Sequence, residues 1–197
     1  MIREAELFVL ADQAAVQVYR QIGDEHWETQ LPPLFDMPGA DQPLPLRQVV
    51  NHYAYDDAWV PDLLAGRTMD EVGRDRFDGD LLGSDPQGNL ARIAAAACAA
   101  ARQVTDRETT VHCSYGDVPA WDYFWQLNVA RTLGAHDVAA HIGVPCPLSE
   151  ELAQGMWEGT APSAEMWRSF GIFRTPVPVP DDAPWRDRYL ALTGRRP

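Results

Sequence analysis

Prolines and glycines constrain this chain most, because their placement leaves only a few stretches free to form long helices. Residues 3–22 contain neither, and Leu7, Leu10, Ala14, Val18 and Ile22 recur near the helical period. Gly23 then offers a C-cap. The connector from Gln30 to Pro45 carries Pro32, Pro33, Pro38, Pro43 and Pro45, and is expected to run as a surface loop. A second helix is expected over Leu46–Leu64. Val49, Val50, Tyr53, Ala58 and Trp59 supply its apolar mass, Pro61 lies near its end and Gly66 closes it. Residues 67–85 are acidic and punctuated by Gly73, Gly79 and Gly83, and are long enough to cross from one end of a bundle to the other.

Asp85 can cap a third helix with Pro86 at its first position, continuing over Leu90–Val104 with an alanine stripe that permits close helix approach. Thr109–Ser114 reads as one short extended segment. The fourth and longest helix is expected to start at Asp117 and Pro119 and to run through Ile142, stopped by Gly143 and Pro145. Shorter helices follow over Ser149–Glu158 and Ser163–Phe170, with Gly159 and Gly171 as stops. A polyproline-like tail at 176–180 then leads to a last helical turn near Trp185–Leu192. The expectation is a mainly all-α single domain. Its four-helix bundle covers 3–145, with a long crossover between helices 2 and 3, and a short helical and extended tail covers 146–197.

The net charge is −13, and all 16 basic residues are arginine. An acidic surface repels phosphate backbones and anionic lipid, which argues against nucleic acid and membrane as partners. The absence of lysine removes Schiff-base and Walker-type lysine chemistry. No apolar run approaches the ~20 residues of a membrane span. The opening Met-Ile-Arg-Glu-Ala-Glu lacks the basic-then-apolar order of a signal peptide, so a cytoplasmic protein is expected. Cys98, Cys113 and Cys146 form no CxxC pair. Cys98 reads as an inert core residue. Cys113 reads either as a nucleophile or as a half-buried strand or turn residue.

Among the five histidines, His52 has Asp56 one helical turn on, a spacing at which the pair can share a metal or one can orient the other. A solvated surface pair has the same spacing. On the fourth helix Asp137 and His141 are again one turn apart, whereas His136 faces away from the His141 stripe. No HExxH, GxSxG, GxGxxG or P-loop is present.

The stretches WVPDLLAGRTMDEVG (59–73), FDGDLLGSDP (77–86), HCSYGDVPA (112–120) and the ending VPDDAPWRDRYLALTGRRP (179–197) together resemble actinobacterial relatives of mycothiol-dependent maleylpyruvate isomerase, in the DinB-like group. The resemblance implies a DinB-like bundle with a divalent metal, zinc or nickel, that activates mycothiol. It implies one histidine ligand from the second helix, matched by His52, and two ligands from the fourth. Aligned on Tyr123, on Asp137-Val-Ala and on Gly143, those two positions fall on Ala130 and Gly134, so only His52 is retained in register. Either the pocket is used without metal, or a weaker site draws on His52, Asp56 and His141.

Three functions are therefore open. The first is a thiol- or acid/base-dependent isomerase or transferase without the usual metal. In it His52 acts as general base oriented by Asp56, and Arg131 or Tyr55 steadies an anionic substrate. The second is a non-catalytic small-molecule-binding or accessory protein, with Ala130 and Gly134 opening space near His52. The third is a structural or dimerising bundle, with a homodimer as its simplest form.

Overall fold

The computed structural model describes residues 1–37 and 42–197, so Pro38 of the connector lies outside the described residues. The chain is mostly helical. Four long helices, α1 (Arg3–Tyr19), α2 (Leu46–Leu64), α4 (Pro86–Ala101) and α5 (Ala120–Ile142), pack side by side, with a one-turn helix α3 (Met69–Val72) between the second and third of them. Hydrogen bonds from Gln87 to the Ile22 carbonyl and from the Cys98 thiol to Asp12 set α4 antiparallel to α1. The Tyr53–Asp12 bond sets α2 beside them, and α5 lies along α1. Because α2 and α4 run the same way, residues 65–85 must return the length of a helix. Asn51 and Arg47 of α2 hold the far end of that crossover through Leu81, Asp80 and Gly83.

Two short antiparallel ladders complete the regular structure. Gln30–Leu31 (β1) pairs with Leu44–Pro45 (β2), so the ends of the proline connector form a ladder where a plain loop was expected. Thr110–Cys113 (β3) pairs with Gly116–Pro119 (β4) through a two-residue turn, Ser114–Tyr115. Asp117 and Pro119 thus belong to a hairpin, and the fourth long helix starts at Ala120, later than its proline had suggested. The first helix stops at Tyr19, short of Ile22, with Arg20 at its C-cap; Gly23 keeps an ordinary backbone and terminates nothing. The third ends at Ala101. The helix α6 (Glu150–Thr160) runs through Gly159, whose missing side chain lets the Trp125 ring lie against the backbone, so that glycine packs and does not stop. A 3-10 turn, α7 (Ala164–Ser169) and α8 (Trp185–Leu192) follow, and the 174–177 stretch is tied to α8 through the Thr193 and Ala191 carbonyls.

Several local signals act as the sequence implies. Asp85 accepts from the Gly88 amide with Pro86 behind it, Ser149 accepts from Leu152, and Gly143 takes the left-handed cap at φ 73°. One end of the helix cluster buries Phe8, Trp59, Val60, Ala97 and Phe124; the other buries Val18, Tyr19, Leu46, Val50 and Leu90. The C-terminal segment is continuous with that core, since Leu152, Met156, Tyr189 and Leu190 pack on Leu7, Val129 and Leu133. Among the described residues no helix is long and apolar enough to cross a membrane.

Candidate functional site

The backbones of α2 and α5 stay apart where the other neighbouring long helices close up, and side chains fill the seam between them. Its inner part is a buried ion cluster. Arg131 of α5 is wholly buried and pairs with Asp57 of α2, with Asp12 of α1 at 3.8 Å. Its guanidinium lies 4.8 Å from the centres of the Phe8 and Tyr53 rings. Asp12 also accepts from the Tyr53 hydroxyl at 2.5 Å and the Cys98 thiol at 3.0 Å. Burial raises the Asp12 pKa above its ordinary value, against the lowering effect of Arg131 and those two bonds. Burial also pushes the Cys98 thiol far up, so Cys98 stays protonated.

The outer part of the seam is an open cleft of about 290 Å³. Tyr55, Asp56 and Trp59 of α2 form one wall, Tyr123, Gln126 and Ala130 of α5 the other, and Cys113 and Tyr115 of the hairpin close the end. Helical spacing explains both walls: Tyr55 and Trp59 are one turn apart with ring centres 6.2 Å apart, and Tyr123, Gln126 and Ala130 recur at i, i+3, i+7. Phe77 from the crossover holds the Trp59 ring edge-on at 4.9 Å. The Tyr115 hydroxyl donates to Gln126 Oε1 at 2.7 Å.

The cleft is acidic at its polar point. Asp56, whose side chain is 34% exposed, has a raised pKa through partial desolvation beside these rings, with His52 and Arg131 opposing. The basic side chain nearest to it is His52, with Nε2 at 4.0 Å, beyond hydrogen-bond distance. No arginine or histidine lines the cleft among the described residues. Tyr123 is 5% exposed, and its hydroxyl has no hydrogen-bond partner among the described residues. Burial raises its pKa strongly, with Cys113, Asp56 and Tyr115 adding to the effect, so the phenol is neutral. The Cys113 thiol is likewise raised by burial, with the neighbouring Tyr115 hydroxyl opposing, and is no ready nucleophile.

The structure gathers four of the eight candidate residues, Tyr55, Asp56, Cys113 and Ala130, in this cleft. The other four lie elsewhere. The His52 side chain is 76% exposed, stacked at 6.3 Å on Tyr55 and bordering a separate groove against the proline connector, so it faces neither the interior nor this cleft. The reason is angular: two residues past the buried Val50, it sits about 200° round the helix. Arg131 is committed to Asp57 and Asp12 and steadies no substrate. Gly134 opens no cavity, because the Tyr19 hydroxyl and the Leu34 side chain already occupy the space beside it. His141 bonds Thr29 Oγ1 at 2.7 Å, about 16 Å along α5 from Ala130. Trp59, Tyr123, Gln126 and Tyr115 were not singled out from the sequence. The i, i+4 aromatic pair at 55 and 59 was the one available signal.

Comparison with protein-family models, curated proteins and solved structures returns no match.

The metal implied by the resemblance does not fit these residues. Tight zinc or nickel binding asks for at least three well-placed donors. His52 and Asp56 are 4.0 Å apart, and α5 contributes Ala130 and Gly134 at the aligned positions. No group of three His, Cys, Asp or Glu side chains among the described residues is placed to hold a metal ion, so His52, Asp56 and His141 do not converge. Mycothiol activation needs a cation to stabilise its thiolate, and the cleft lining provides none among the described residues.

Proposed function

We propose that the chain is a small-molecule-pocket protein of the DinB-like, maleylpyruvate isomerase-like type. Its helices form that family's four-helix bundle, and its site has become a metal-free binding cleft between α2, α5 and the hairpin. The reading rests above all on Asp56, a carboxylate set among aromatic rings with no cation in the lining among the described residues. A ligand that donates hydrogen bonds or carries a positive charge restores the missing partner, and the rings of Tyr55, Trp59 and Tyr123 favour a flat or cationic group. The orphan phenol of Tyr123 supplies a second polar contact. An anionic substrate, as the isomerase reading first required, meets no arginine or histidine in the cleft lining among the described residues.

Benzylammonium is the direct probe. Titration calorimetry should give saturable binding, weakened roughly ten- to a hundredfold by Asp56→Asn, the worth of a charge-assisted contact. Benzoate should not compete. Equal binding to Asp56→Asn, or tighter binding of benzoate, would overturn the reading.

A catalytic version of the same site is favoured by one observation: the cleft gathers a carboxyl, a phenol and a thiol, all able to exchange protons. It makes the protein an acid/base isomerase or transferase for a neutral or cationic substrate, with Asp56 in the base role first given to His52. Incubating candidate amines or enolisable ketones in deuterated water tests this. Exchange at carbon that Asp56→Asn abolishes would establish catalysis; binding without exchange would leave a binding protein.

A further inference from the structure

Ala130 and Gln126 of the cleft also border a second space. On the far side of Ala130 and Gln126, which line both spaces, a trough of about 690 Å³ runs between α5 and the α7 region. Its walls are mostly apolar: Phe35, Val129, Met166, Trp167, Phe170 and Ile172. Two of them are conspicuously wet, Met166 at 48% and Phe170 at 59% exposure. Between the two spaces Ala130 presents only a methyl group, and the Gln126 side chain is held by the Tyr115 hydroxyl at 2.7 Å.

From this juxtaposition we propose that the ligand is an amphiphilic primary amine, its ammonium group held in the cleft and its alkyl or aryl tail laid along the trough. The proposal rests on the cleft reading above and adds the tail. Three features select this class. A primary ammonium carries three N–H donors, and the cleft presents two acceptors without a hydrogen-bond partner among the described residues, the Asp56 carboxylate and the Tyr123 phenol oxygen. Neither lining holds an arginine or histidine among the described residues, while the trough adds Asp122, whose carboxylate already accepts from Gln126 Nε2 at 3.4 Å. Fatty acids and other anionic amphiphiles are therefore rejected by charge. Finally, the mostly apolar walls of the trough, with Phe170 and Met166 in water, reward a tail that covers them, and the polar groups among its described lining are Asp122, Gln126, Ser169 and the Trp167 indole, none of them a cation.

The test is a chain-length series of n-alkylammonium chlorides, from ethyl to decyl, titrated into the full chain below their micellar concentrations, beside n-alkanols and n-alkyl carboxylates of matched length. Affinity for the amines should rise with each methylene, by up to roughly fourfold where burial is complete, and Phe170→Ser should flatten that rise. Carboxylates should bind more weakly than amines at every length. Amine binding that is independent of chain length overturns the trough but leaves the cleft reading intact. Failure of benzylammonium and every amine to bind overturns both. Alkanols or carboxylates binding as well as amines overturn the charge selection. The alternative occupant is a second copy of this chain: a dimer in sedimentation that Phe170→Ser dissociates and decylammonium does not would overturn the proposal in favour of self-association.

Discussion

Replacing Arg131 with methionine should destabilise this protein severely at neutral pH and much less in acid. Arg131 is buried together with Asp57 and Asp12, themselves 0% and 1% exposed. Methionine keeps most of the packing against Phe8 and Tyr53 but removes the only cation in the cluster among the described residues. Removing one partner of a buried pair costs about 3–5 kcal/mol. An independent bound comes from neutralising the stranded Asp57. Protonating a carboxyl of ordinary pKa near 3.9 at pH 7 costs about 1.36 kcal/mol per pH unit, or about 4 kcal/mol. The two figures agree and form a large part of a typical stability of about 5–15 kcal/mol.

The sign of the pH effect follows from linkage. In the variant the folded carboxyl has a raised pKa, so between the unfolded and folded values the native state binds a proton that the unfolded state does not. Stability then falls as pH rises through that window and recovers as pH drops. Urea unfolding at pH 7 and pH 5 should show the gap between wild type and variant shrinking by about 1.4 kcal/mol per unit. The pair Arg131→Met with Asp57→Leu should cost less than Arg131→Met alone, because no charge is left stranded at position 57. A loss under about 1 kcal/mol, or one with no dependence on pH, would refute the assignment of this cluster as a mutually compensating buried ion group.

Gly134→Ala should raise stability by about 0.5–1 kcal/mol, since a methyl group there meets the Tyr19 hydroxyl at 3.4 Å and Leu34 at 3.8 Å, ordinary contacts; Gly159→Ala, whose methyl would fall inside the Trp125 indole, should lose about 1–3 kcal/mol, both read by thermal unfolding. Burial lowers the pKa of His136 from its ordinary 6.5, with Asp137 opposing and Arg195 and Arg186 assisting. The neutral ring therefore contributes stability that is present above about pH 6.5 and is lost as pH falls toward the folded value; His136→Gln should remove that part of the acid slope in urea titrations. After dialysis, elemental analysis should find no stoichiometric zinc or nickel, and one equivalent abolished by His52→Ala would show that the donor set had been misread.

Local chemistry made the helices legible from the chain alone. The breaker-free stretches, the Asp85–Pro86 start, the Ser149 cap and the Gly143 stop act through the backbone of a few adjacent residues, so a window of sequence contains their whole cause. The long crossover was legible for the same reason, as a run too polar and glycine-rich to continue a helix. Gly159 and the 116–119 strand were misread because their roles depend on partners distant in sequence or on pairing, the Trp125 ring and the β3 ladder. The site divides along the same line. That Tyr55 and Asp56 share one region of α2 follows from helical spacing, but which of the adjacent carboxylates, Asp56 or Asp57, turns inward depends on the rotation of α2 against α1 and α5. The structure gives the interior to Asp57, where Arg131 compensates it, and leaves Asp56 at the cleft with His52 outside. A rotation of about 100° per residue separates an ion-paired core carboxylate from a ligand-facing one. Only packing decides it, because the burial of a charge is stabilised or penalised by groups that tertiary structure alone brings within reach.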